Sequence, residues 1–176
     1  MLVRLCIALA SIYTRMPLVP PEGGLSRLAL LVLPFLLFSC DTSRVFEQNV
    51  PVAEGVWKSN EAVSFAAEIG EIGKIKNLYF NLRNDLTYKY SNLYVLSELT
   101  LPNGNTEKDT LEFILCDRSG KWLGNTSGGL VTHQILFQRK VRFPKPGTYN
   151  FKFMQVMRDE KLGGIKEIGL RIENAE

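Results

Sequence analysis

The chain has 176 residues, 45% of them hydrophobic and 22% charged, with a formal charge of +3 from 21 basic and 18 acidic side chains. This balance excludes a disordered or fibrous chain and fits one globular domain with a sizeable core. One histidine and three cysteines are too few for a histidine-built zinc site, and they restrict any Ser-His-Asp triad to His133.

Residues 1–39 read as a removable leader. Every residue from Leu28 to Phe38 is apolar, but Pro34 interrupts the run, and a membrane span needs roughly twenty residues. An apolar run behind Arg27 and ahead of small residues fits the central region of a secretory signal. Its end, Leu37-Phe38-Ser39-Cys40, resembles the lipobox of bacterial lipoproteins. Cys40 is then the acylation site: its thiol takes the diacylglycerol group, and small Ser39 admits the signal peptidase. Met16 is a plausible true start, which gives a signal of ordinary length from Met16 to Ser39.

Removing 39 residues from 176 leaves 137, one domain's worth. Loss of Arg4, Arg15, Arg27 and Glu22 leaves 18 basic and 17 acidic groups, and no basic stripe remains to suggest nucleic acid. Cys116 has no second mature thiol except Cys40, so no intramolecular disulfide is expected. It reads as a half-buried strand residue in LEFILC, in phase with Glu112 and Ile114.

Residues 40–56 are polar and without period, which predicts a lipidated N-terminus and tether, with the folded domain over 57–176. The body then alternates with period two. Val63, Phe65, Ala67 and Ile69 share one face, as do Leu78, Phe80 and Leu82. Two alternating segments, Leu93 to Leu101 and Leu111 to Leu115, flank Pro102-Asn103-Gly104-Asn105, where Asn-Gly is expected to supply the positive φ angles of a tight hairpin. A Gly-rich connection carrying Trp122 follows. A further strand pair is split by Pro144-Lys145-Pro146-Gly147, with Tyr149, Phe151 and Phe153 on one face. The last strand, with Ile168, Leu170 and Ile172 inward, is expected to be half exposed. Seven to nine strands and no helical period predict an all-β fold, an antiparallel β-sandwich of jelly-roll type.

Catalytic patterns are weak. No G-x-S-x-G elbow occurs, and His133 reads as a surface or edge residue of its strand. Asp109 and Glu112 fall on opposite strand faces, while Asp117, Asp159 and Glu160 sit near turns, so no carboxylate pair is predicted. Phosphate-loop and EF-hand patterns do not occur. No enzyme, no cofactor and no metal site is expected.

The segments FNLRN, YKYSNLY, PNG, DTLEF, GKWLG, VRFPKPGTY and IGLRIE run in order from about Trp57 to the C-terminus, after the lipobox, Asp41 and RVFEQN. Together they resemble the GldH gliding-motility lipoproteins of the Bacteroidota. The resemblance implies a lipid-anchored envelope protein that supports gliding and type IX secretion through contacts with other lipoproteins. It implies an anchor in the membrane through acylated Cys40, in the outer membrane facing the periplasm. Cys116 and the stretch Asn125 to Gly129 depart from the family's usual loop. Arg83, Tyr88, Lys89, Tyr90 and Trp122 are candidates for partner contact, because polar and aromatic clusters favour interfaces. The first reading for them is a turn whose rings cap the core and whose arginine pairs with an acidic neighbour, with Trp122 plugging the open end of the core. A carbohydrate-binding jelly roll is the alternative function; it needs Tyr79, Tyr88, Tyr90, Tyr94 and Trp122 to be exposed.

Overall fold

The computed structural model describes residues 43–175. Eight long strands carry the fold: β1 (Arg44–Pro51), β3 (Val63–Ile69), β4 (Ile75–Asp85), β5 (Asn92–Thr100), β6 (Thr106–Ile114), β8 (Leu130–Arg142), β9 (Gly147–Gln155) and β11 (Ile165–Asn174). Three short ones join them: β2 (Val56–Lys58), β7 (Asn125–Ser127) and β10 (Lys161–Gly163). One sheet runs β1-β11-β4-β8-β7, the other β3-β9-β5-β6, and β2 pairs with β10. Counting the long strands alone, the sheets run first-eighth-third-sixth and second-seventh-fourth-fifth, which is jelly-roll order.

Period-two patterning builds the interior. In β4, Lys76, Leu78, Phe80, Leu82 and Asn84 are buried in alternation, and β3 and β9 bury Phe65, Ala67, Ile69, Tyr149, Phe151 and Phe153. Phe80 of β4 crosses the interior to stack on Phe113 of β6 at 4.4 Å and to meet Phe153 of β9 edge-on at 5.1 Å. Each such side chain contributes about 1.5–3 kcal/mol by leaving water, and the ring pairs add more.

Four expectations change. The stretch read as a tether is, from Arg44 to Pro51, the edge strand β1, paired with β11 along its length; an irregularity between Arg44 and Phe46 hides its period. β11 is therefore an interior strand between β1 and β4 rather than a half-exposed last one. β8 and β9 do not pair with each other; the Pro144 to Gly147 connection carries the chain from one sheet to the other. In the β5–β6 turn only Gly104 has positive φ, +86°, while its N–H donates to the Leu101 carbonyl at 2.9 Å. Pro102 and Asn103 thus fill the two central positions of an ordinary turn, and glycine alone takes the left-handed step.

The antiparallel registers define two ends. At one lie the starts of β1 and β4 and the ends of β11 and β8, with Arg44 opposite Glu173, Lys76 opposite Asn174 and Ile75 opposite Arg142. The connections 86–91, 115–124 and 156–160 lie at the other. The expected leader, 1–39, and the expected acylation site, Cys40, fall outside the described residues.

Candidate functional site

The end remote from Ser43 gathers the loop residues singled out in the sequence. Asp85 folds the β4–β5 connection: its Oδ1 accepts from the Thr87 N–H at 2.9 Å and the Thr87 hydroxyl at 2.5 Å. Its Oδ2 pairs with Lys166 Nζ at 2.9 Å. Burial works to raise the Asp85 carboxyl, but the Lys166 and Thr87 hydrogen bonds outweigh it and hold it below the ordinary range. Gly164, at φ +86°, lets the β10–β11 turn approach this connection: a Cβ there would lie 2.8 Å from the Tyr88 nitrogen.

Tyr88 is buried and donates its hydroxyl to the Asn92 carbonyl at 2.8 Å. Burial pushes its phenol well above the usual range, so it stays a neutral donor. Its ring meets Tyr90 at 5.9 Å and Trp122 at 6.5 Å. Tyr90 is half-buried and donates to Asp159 Oδ2 at 2.8 Å, while Lys89 beside it is exposed. Thr87, Lys89, Tyr90, Asp159 and Lys161 line an open depression of about 300 Å³.

Trp122 is partly buried and packs on the core, between Tyr88 and His133. Its backbone bridges to Cys116, which is buried rather than half-buried. The N–H groups of Leu115 and Cys116 both donate to the Ser91 carbonyl, so a bulge breaks the phase and turns two successive side chains inward. Burial, and then Asp117, push the Cys116 thiol up, away from its reactive form. His133, expected at the surface, is 3% exposed. Its Nε2 lies 3.1 Å from Asn84 Oδ1, and burial lowers its pKa.

Arg83 sits elsewhere, on the outer face of the five-stranded sheet. It pairs with Glu167 at 3.1 Å and reaches Thr132 Oγ1 at 3.4 Å. Glu47 pairs with Arg171 at 2.8 Å and Arg44 at 3.0 Å, and Asn81 donates to Glu47 and Asn49. Burial would raise the Glu47 carboxyl; the two arginines overcome it and hold it low. Gly169 lies between Asn49 and Asn81 across the strands, in a depression of about 340 Å³ walled by these groups. The charges of β11 are thus all engaged, Lys166 by Asp85, Glu167 by Arg83, and Arg171 by Glu47 and Glu173. Asp109 and Glu112 are exposed on β6, Asp117 closes its own turn on Ser119 and Lys121, and Asp159 is held by Tyr90. Among the described residues no group of three or more His, Cys, Asp or Glu could hold a metal ion.

The comparisons with known proteins agree across this whole region. The chain is 30% identical over 155 residues to the gliding motility lipoprotein GldH homolog of Christiangramia forsetii, covering 84% of this chain and 94% of that one. It is 31% identical over 154 residues to the gliding motility lipoprotein GldH of Flavobacterium johnsoniae, covering 84% and 95%. Among solved structures, a cellulose-specific carbohydrate-binding module aligns over 73% of this chain and 70% of its own, at 10% identity and a TM-score of 0.39, too distant to bear on what this chain binds. The profile of the family described as GldH lipoprotein matches residues 44–172, from the first residue of β1 into β11, and the chain belongs to that family.

Proposed function

We propose that this chain is a lipid-anchored accessory protein of the cell envelope that supports gliding motility, and with it the type IX secretion machinery, through protein contacts. The gliding role follows from the names of its two relatives. Acylated Cys40 is the anchor, held in the outer membrane and facing the periplasm. The short segment after Cys40 is not an acidic export run, which favours that orientation. One observation carries the contact role: Ser43 and the Lys89–Tyr90 connection lie at opposite ends of a sandwich whose β4 has 11 residues, or roughly 33 Å. An anchored domain therefore presents Lys89 and Tyr90 away from the bilayer, with Tyr88 and Trp122 bracing them from beneath and Arg83 on the adjoining sheet face. The carbohydrate-binding alternative needs five open rings and loses Tyr88 to the core, while Tyr79, Tyr90 and Trp122 are half-buried and Tyr94 is exposed.

Cys40→Ala in the native host tests the anchor. Loss of lipid label and of colony spreading together, at normal protein level, is the expected result. Normal spreading from an unlabelled, soluble protein would overturn the reading. Lys89→Glu with Tyr90→Ala tests the remote end: membrane-bound, labelled protein that no longer supports spreading is expected.

A further inference from the structure

We propose that the Ser43 end of the sandwich is a docking face for the anionic lipid surface of the bilayer that holds the anchor; this rests on acylation of Cys40 as proposed above. Cys40 precedes Ser43 by three residues, and an extended chain covers at most about 3.6 Å per residue. The thioether therefore stays within about 11 Å of Ser43. Ser43 is itself fixed, because its carbonyl accepts from the Asn174 N–H at 2.8 Å and β1 pairs with β11 from the next residue on. So short a lead brings this end of the domain to the headgroups.

The side chains displayed there suit such a surface. Lys140 and Arg142 close β8, Lys145 sits in the β8–β9 connection, Lys74 ends the β3–β4 connection and Arg44 begins β1, and all five are exposed. Lys74 pairs with Glu71 and Arg44 with Glu47, whereas Lys140, Arg142 and Lys145 make no ion pair among the described residues. Of the acidic groups at this end, Glu71 and Glu173 are engaged by Lys74 and Arg171. Glu71 is nonetheless exposed, and Glu68 and Glu107, on the four-stranded sheet, are exposed without an ion pair among the described residues. Ile72 stands 58% exposed at the tip of the β3–β4 connection, with open space at Gly70 and Gly73 on either side. An apolar tip at the same end as three unpaired cations is the composition that seats at a headgroup boundary. Lys140 adds a further sign. It holds φ +55° at a bulge in β8, where its N–H donates to Asn77 Oδ1 at 3.1 Å. Glycine would sit there with less strain, and the chain nonetheless carries a cation.

The test uses the acylated protein in vesicles of phosphatidylcholine with or without phosphatidylglycerol, with a polarity-sensitive fluorophore on Ile72→Cys; buried Cys116 is the control for background labelling. The expected result is an apolar shift on anionic vesicles that is absent on neutral ones and reversed by high salt. Each basic group near an anionic surface biases docking about fivefold, so Lys140→Gln, Arg142→Gln and Lys145→Gln together lower the docked-to-free ratio about a hundredfold. Lys140→Arg with Lys145→Arg keeps the shift, which separates charge from folding. Labelled, vesicle-bound protein whose probe stays in water, or whose shift ignores salt and charge, overturns the docking face alone. Protein that takes no lipid label overturns the anchor reading and this proposal with it.

Discussion

Burial changes the chemistry of His133. Asn84 donates its own amide to the Asp85 carbonyl at 2.9 Å, so its Oδ1 faces the imidazole and His133 Nε2 carries the proton. A second proton would put charge beside Trp122 in the interior, and burial accordingly lowers the pKa. The unfolded chain takes up its proton near pH 6.5 while the folded chain does not. Stability is therefore lost as pH falls from about 6.5 toward the lower folded value, at up to about 1.4 kcal/mol per pH unit. The depressed carboxyls of Glu47 and Asp85 act in a lower window, losing their contribution as pH falls from the ordinary carboxylate range through their folded values. Urea unfolding at pH 7.5, 6.5 and 5.5 measures this: His133→Gln is expected to show a flatter profile, and equal slopes would mean that His133 titrates normally. This burial was legible in part, since His133 is in phase with Val131, Ile135 and Phe137. Its polar type concealed the face to which it belongs.

Turns and bulges decide how the elements meet. Gly164 and Gly73 both hold φ near +85°, yet only at Gly164 would a Cβ strike backbone, 2.8 Å from the Tyr88 nitrogen. Gly73→Ala is expected to cost about 1 kcal/mol, for the backbone conformation alone. Gly164→Ala is expected to cost roughly 2–3 kcal/mol, because the β10–β11 turn must also move off the 85–88 connection. Thermal unfolding of the two variants separates close approach from conformational strain; equal losses would mean the contact relaxes freely. Lys140→Gly runs the other way. Relief of a left-handed lysine exceeds the added freedom of the unfolded chain by about 0.5–1 kcal/mol, so its melting temperature should rise while anionic docking weakens. The alternation of β3, β4 and β9 made these strands readable from sequence. β1 was not, because its partner β11 lies at the far end of the chain and its own pattern has no clean period. The unpaired cations of QRKVRFPK were visible as letters, but their position at the same end of the sandwich as Ser43 follows from register, which no local pattern encodes.

At the scale of the whole molecule, a jelly roll is set by which strand joins which sheet, and period two is the same in both. The amphipathic strands therefore foretold a sandwich, while the crossing between β8 and β9 and the pairing of β1 with β11 came from long-range contacts. That arrangement has a mechanical consequence: both ends of the described residues, Ser43 and Ala175, the free cations and Ile72 fall at one end of the sandwich, and Lys89 and Tyr90 at the other. If function requires the domain to stand on the bilayer with its remote end held out to partners, the length of the lead after Cys40 matters as much as the lipid. An insertion of about ten Gly and Ser residues between Thr42 and Ser43 lets the start of β1 wander about 20 Å from the anchor, by the scaling of flexible linkers. Melting and lipid labelling should be unchanged, while the Ile72 probe loses much of its apolar shift and colony spreading falls. Unchanged spreading with an unchanged probe would mean that the basic face seats the domain without help from a short tether. Unchanged spreading with a lost probe signal would mean that the partners of Lys89 and Tyr90 reach the domain whichever way it stands.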